Sequence, residues 1–178
     1  PHQLMMSATP IPRTLAMSYF ADLDCSVIDE LPPGRTPIRT RLIADTRRDD
    51  VITAIRSAIA GGEQCYWVCP LIEESDTLEL QTAIDTHALL TEALPDYQVG
   101  LVHGRLKADE KISTMRAFAD GVLHLLVATT VIEVGVDVPN ASVMVIENAE
   151  RLGLAQLHQL RGRVGRGSIA SHCILLYK

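Results

Sequence analysis

The chain has 178 residues, 47% of them apolar and 4% aromatic, and a formal net charge of −6. That length holds one domain of ordinary size plus a short extra piece, and no run of about 18 apolar residues is present to cross a membrane. The acidic balance argues against a generic nucleic-acid coat protein.

Leu4 to Ala8 reads as a strand end and Arg13 to Ala21 as a helix with prolines near its start. Ser26 to Leu31 is short and extended, and Pro32-Pro33-Gly34-Arg35-Thr36-Pro37 is a stiff connector. Ile38 to Ile43 alternates as a strand, and Asp49 to Ala60 is a helix stopped by Gly61-Gly62. Cys65 to Val68 is a buried strand, followed by a helix over Thr77 to Leu94 that ends before Pro95. Val99 to His103 is a strand and Ala108 to Ala119 a helix. Leu123 to Thr129 and Ser142 to Ile146 are strands, Gly153 to Arg163 a helix, and His172 to Tyr177 a last strand. Strands alternating with helices of this length predict an α/β fold with a parallel sheet and helices on both faces. A core of Val, Ile, Leu and Ala suits such doubly buried strands. Ligands of these sheets bind at the carboxyl ends of the strands. The connector divides the chain into residues 1–33 and 34–178.

The four cysteines and six histidines have no zinc-like spacing, so no metal is expected to bind here. Cys65 and Cys69 share one face of a strand and read as buried reduced thiols of a cytosolic protein. Charge is unevenly spread. Residues 151–178 carry Arg151, Arg161, Arg163, Arg166 and Lys178 with no acid, while acids gather at Glu73-Glu74, Asp76, Glu79 and Asp109-Glu110. Positive charge is therefore expected at the end that carries the most distinctive segment.

That segment is Gln159-Leu160-Arg161-Gly162-Arg163-Val164-Gly165-Arg166. As a helix over 154–166, it puts Gln156, Gln159, Arg163 and Arg166 on one polar stripe, beside an apolar stripe of Leu157, Leu160 and Val164. Two guanidiniums on one face suit the spread charge of a transferring phosphoryl group. Gly162 and Gly165 cost such a helix roughly 1 kcal/mol each, which implies that something approaches closely there.

The octapeptide resembles motif VI (Q-x-x-G-R-x-x-R) of superfamily 2 helicases, and further segments resemble that family's other motifs in the right order. Ser7-Ala8-Thr9-Pro10 is similar to motif III, and Val68-Cys69-Pro70-Leu71 sits where motif IV would end its strand. Leu101-Val102-His103-Gly104-Arg105 resembles motif IVa, and Val127-Ala128-Thr129-Thr130 through Gly135-Val136-Asp137-Val138-Pro139 resembles motif V. Thr9 to Leu15, Asp29 to Pro37 and Gly153 to Leu160 narrow the likeness to the bacterial branched-DNA translocases. Transcription-repair coupling factors share the Gly153-to-Arg166 block but are not expected to carry the Asp29-to-Pro37 segment. No Gly-x4-Gly-Lys-Ser/Thr loop occurs, and Ile28-Asp29-Glu30-Leu31 follows motif III, so it only mimics a Walker B pair.

The resemblance implies a RecA-like second motor domain over 34–178, preceded by the tail of a first motor domain over 1–33. It implies that Arg163 and Arg166 act as arginine fingers, worth about 10³ to 10⁵ in rate in comparable NTPases. Gln159 would position the attacking water or the phosphate. Gly135 and Asp137 would meet the nucleotide, Asp137 at its ribose. His103, Gly104, Arg105, Thr129 and Thr130 would hold DNA phosphates, and Ser7, Ala8 and Thr9 would link nucleotide state to domain movement. ATP and Mg2+ would be bound mainly by the first motor domain. Implied partners are branched or duplex DNA and single-strand DNA-binding protein, for a bacterial cytoplasmic, nucleoid-associated monomer. The alternative from another class is a non-enzymatic α/β module that holds nucleic acid.

Overall fold

The computed structural model describes residues 26–28, 30, 37–70, 76–129, 138–167 and 169–178. The chain divides into two compact units, Pro1–Pro33 and Gly34–Lys178. Of the first unit, the described Ser26, Val27, Ile28 and Glu30 are exposed and carry no helix or strand. The expected helix over Arg13 to Ala21 lies outside the described residues, as does the strand end over Leu4 to Ala8.

In the second unit, apolar runs become strands and amphipathic runs become helices. The strands are β1 (Arg39–Ala44), β2 (Gln64–Val68), β3 (Val99–Val102), β4 (Leu125–Ala128), β5 (Ala141–Ile146) and β6 (His172–Tyr177). The helices are α1 (Arg48–Ala60), α2 (Asp76–Ala93), α3 (Ala108–Ala119) and α4 (Leu154–Arg161). Single 3₁₀ turns precede α1 at Asp45–Arg47 and α4 at Ala149–Arg151. The strands form one sheet in the order β1-β6-β5-β2-β4-β3, and each neighbouring pair runs parallel. Parallel neighbours require crossovers, and α1, α2, α3 and α4 lie in the connections after β1, β2, β3 and β5.

β2, β4 and β5 are buried along their whole length, as expected of strands covered on both faces. One core cluster joins Val51, Ile55 and Ile59 of α1 and Leu90 of α2 to Trp67, Val127 and Val145 of the sheet. The other joins Met115 and Phe118 of α3 and Leu160 of α4 to Tyr66, Leu126 and Met144. Alternate residues of one strand thus serve opposite cores. α1 ends where Gly62 takes a φ of +87°, the left-handed conformation that an L side chain resists.

The expected helix over 154–166 is shorter than its periodicity implies. α4 stops at Arg161, and the Gly162 N–H bonds back to the His158 carbonyl at 3.1 Å. Two residues later Val164 is fully buried, and Gly165 adopts a φ of +76°. No helix can pass through that conformation. Arg163 and Arg166 therefore lie in the loop after the helix and share no helical stripe with Gln156 and Gln159.

Candidate nucleic-acid and nucleotide interface

The carboxyl ends of β5, β2, β4 and β3 form a continuous rim, because each first residue beyond a strand bonds to the last of its neighbour. The Glu147 N–H donates to the Val68 carbonyl at 2.9 Å, Cys69 to Ala128 at 2.8 Å, and Thr129 to Val102 at 3.1 Å. Beyond β3 the chain turns through His103-Gly104-Arg105-Leu106, closed by the Leu106 N–H on the His103 carbonyl at 3.2 Å. Lys111 reaches back from α3 and donates its Nζ to the Gly104 carbonyl at 2.6 Å. The Lys107 N–H is held by Glu110 Oε2 at 3.0 Å, which fixes the start of that helix.

Two atoms on this rim stand out. Among the described residues, His103 Nδ1 and Thr129 Oγ1 are the buried side-chain polar atoms without a hydrogen-bond partner. Thr129 is 1% exposed. Leaving such a group unsatisfied costs about 1–3 kcal/mol, so the pair marks a place where an outside acceptor or donor would be welcome. Burial, then Lys111 and Arg105, lower the His103 pKa from its ordinary value, with Glu110 opposing. His103 is thus held toward neutral imidazole, with one ring nitrogen as donor and the other as acceptor. Arg105 is exposed on the same turn.

The arginine-bearing loop lies at the other end of the sheet. A Cβ on Gly165 would fall 2.9 Å from Ile38 Cγ1 and 3.6 Å from the Ser171 Cβ. Ile38 and Ser171 directly precede β1 and β6, so the loop is seated at the amino ends of those strands. At about 3.3 Å per residue, strands of this length separate the two ends by roughly 15–20 Å. Arg163 is partly buried and Arg166 exposed, and Gln159 is exposed on α4. Gln156 serves the helix start, its Oε1 accepting the Gly153 N–H at 3.1 Å. Arg161 lies beside His158, 3.1 Å from its Nδ1. The close approach implied by Gly165 is present. Gly162 closes the helix and accommodates no neighbouring element.

Basic charge is not confined to residues 151–178. Parallel pairing sets Arg39 opposite His172 and Arg41 opposite Ile174, so β1 brings two exposed arginines beside β6. Neighbours in a parallel sheet need not be neighbours in sequence, and a charge count along the chain misses them.

Sequence reasoning also missed a partly buried ion pair on the rim. Glu147, 4% exposed, accepts from Arg48 Nη1 at 2.7 Å and from Trp67 Nε1 at 2.6 Å, both on Oε1. The Arg48 guanidinium lies 5.6 Å from the centre of the Trp67 ring. An acid at the end of an apolar strand was the available signal, but its cationic partner is 99 positions away. Cys65, Cys69 and Cys173 are free and buried, as expected for reduced thiols. Among the described residues no group of three or more His, Cys, Asp or Glu side chains could hold a metal ion. Ser7, Ala8, Thr9, Thr130, Gly135 and Asp137 lie outside the described residues.

The chain matches the helicase conserved C-terminal domain over residues 47–168. It belongs to that family. It is also 70% identical over 179 aligned residues to the ATP-dependent DNA helicase RecG of Escherichia coli O157:H7, covering 100% of this chain and 26% of that protein. A solved structure of RecG bound to a three-way DNA junction is 48% identical and covers 97% of this chain and 22% of that one, with a TM-score of 0.79. Domain 2 of the DEAD-box helicase Mss116p, solved bound to an RNA duplex, covers 79% of this chain and 54% of that one at 16% identity and a TM-score of 0.65, a likeness of fold alone. The chain thus spans about a quarter of the length of the RecG relative, and its fold is the RecA-like fold of a helicase motor domain.

Proposed function

We propose that this chain is the second motor domain of a longer ATP-dependent translocase acting on branched DNA, with residues 1–33 the tail of the first motor domain. The observation that carries the reading is the 70% identity to RecG over the whole chain. The Thr129 hydroxyl and His103 Nδ1, both buried at the rim without a partner, are the atoms that a DNA contact would complete. A DNA phosphate supplies acceptors for a hydroxyl and for the N–H groups of the Gly104 turn, and Arg105 adds charge. Identity to RecG over the whole chain supports the branched substrate. Ser7, Ala8, Thr9 and Thr130 complete this reading as coupling and phosphate contacts.

At the amino end, the glycine-bounded loop presents Arg163 and Arg166, two donors that cannot lose their charge. They fit the γ-phosphate of a nucleotide held on the first motor domain. Arg166 stabilises the charge that develops as that phosphate is transferred, Arg163 holds it, and Gln159 orients the water. Asp137 and Gly135 meet the ribose side of the nucleotide. Mg2+ belongs with the first motor domain. Binding of ATP draws the two domains together, hydrolysis releases them, and alternating grip moves duplex DNA one way. The reading places the protein in the bacterial cytoplasm as a monomer, with single-strand DNA-binding protein as a partner.

Thr129→Val in the full-length protein tests the rim. The change removes the hydroxyl at constant shape, so the melting temperature is expected to hold or rise slightly. DNA affinity is expected to fall about tenfold, the worth of one hydrogen bond to a charged group. The slope of log Kd against log salt should not move, because no charge is lost. Unchanged DNA affinity would overturn this assignment.

A further inference from the structure

Arg166 is bracketed by two glycines, and both are seated against neighbouring chain. On one side, Gly165 approaches Ile38 with a left-handed φ of +76°. On the other, a Cβ on Gly167 would lie 2.5 Å from the carbonyl oxygen of Pro139 and 3.4 Å from its carbonyl carbon. That is close to 1 Å inside ordinary contact, and the obstacle is backbone, which cannot swing aside like a side-chain tip. The φ of Gly167 is not in the left-handed region, so the contact with Pro139 is what demands glycine there.

The Pro139 turn is itself fixed. The Ala141 N–H closes it on the Val138 carbonyl at 3.0 Å, and the Asn140 carbonyl accepts the Gln64 N–H of β2 at 2.9 Å. Val138 is buried at 1% exposure in the core beneath α3 and α4. The same turn ends the stretch that begins at Thr129 on the opposite rim, since the chain between them joins the carboxyl end of β4 to the amino end of β5. Bulk added at position 167 therefore presses directly on the loop that carries Arg166.

We infer that Gly167 is a positioning residue for phosphoryl transfer: its close contact with the Pro139 carbonyl sets where Arg166 stands. The inference rests on the finger reading of Arg166. A misplacement of about 1 Å near a reacting centre can cost about 10²-fold in rate.

The experiment uses the full-length protein and compares Gly167→Ala with wild type, Arg166→Ala and Gly153→Ala. Gly153 is a control, because its added Cβ meets nothing nearer than the Gln156 Oε1 at 3.7 Å. The readouts are kcat and KM for DNA-stimulated ATP hydrolysis, Kd for a three-way junction, and the melting temperature. Gly167→Ala is expected to lower kcat by about 10- to 100-fold, with KM and Kd within the range of the Gly153→Ala control and a melting temperature below it, because the added Cβ must displace backbone. Wild-type kcat overturns the inference, and so does a fall in kcat matched by an equal loss of junction affinity, which is the mark of a merely structural glycine. Normal Gly167→Ala turnover beside an inactive Arg166→Ala defeats the inference alone, whereas normal turnover by Arg166→Ala defeats the finger reading and the inference together. Should Gly167→Ala not fold, Pro139→Gly loosens the same turn without adding an atom there, and its kcat and KM are read the same way.

Discussion

Cys69 lies on the rim within the electrostatic reach of Glu147, and its thiol carries both effects of that place. Burial chiefly, then the Glu147 charge, push its pKa up to about 12 against a hydrogen bond from Thr86 and the charge of Arg48. Burial raises Cys173 to about 11, with Arg161 opposing. Below the ordinary value of 9.0 both thiols are protonated whether the chain is folded or not, and their burial contributes in full. Between pH 9 and about 11–12 the unfolded chain ionises first, so stability drains away as pH rises. Urea midpoints at pH 8 and pH 10.5 should differ in that direction, and by less in Cys69→Ala. A midpoint that rises with pH contradicts the assignment. At pH 8 both thiols should react slowly with an alkylating reagent until the chain unfolds, since the thiolate is the nucleophile. None of this was legible beyond the reduced, buried state of the thiols, because Glu147 and Arg48 become neighbours of Cys69 only through the sheet.

At the scale of elements, Glu147 ties three of them together. Arg48 opens α1, Trp67 lies on β2, and Glu147 directly follows β5, one residue before Asn148, whose φ of 45° redirects the chain toward α4. Glu147→Ala leaves the buried Trp67 N–H without an acceptor, at a cost of about 1–3 kcal/mol. Glu147→Gln keeps an acceptor for Trp67 and loses only the charge facing Arg48, whose side chain is 29% exposed, so its cost should be smaller. Chemical denaturation of the three proteins checks that order, and equal losses would show that the Trp67 bond is not what matters. Element positions were largely legible in the sequence. Buried strands are short apolar runs, and α1 and α3 carry buried apolar residues at helical spacing, so α3 and β6 fall where expected. The end of α4 was not legible. Periodicity continues through Val164 because that side chain is buried in the loop as it would be in a helix. Only the close packing on Ile38 reveals that Gly165 stands in a left-handed turn.

For the molecule as a whole, a motor domain must keep two tasks apart and yet connected. The orphaned atoms at the carboxyl rim and the arginine loop at the amino end lie on opposite ends of one rigid sheet. A buried parallel sheet transmits displacement with little loss, because close-packed interiors resist compression. The motifs name both sets of residues in the sequence, since a helicase motif is a local string. It did not reveal their placement at opposite ends, which depends on the crossovers. Nor did it single out Gly167, whose constraint is a contact with a residue 28 positions earlier in the chain.

In the proposed function, Arg166 serves hydrolysis and not scaffold. The measurement that tests it most directly is DNA-stimulated ATP hydrolysis by the full-length protein, wild type against Arg166→Ala, with nucleotide affinity measured in parallel. Arg166→Ala is expected to lose about 10³-fold or more in kcat, the scale of an arginine finger, with ATP still bound. Turnover at the wild-type rate would contradict it and return the loop after α4 to a purely structural role.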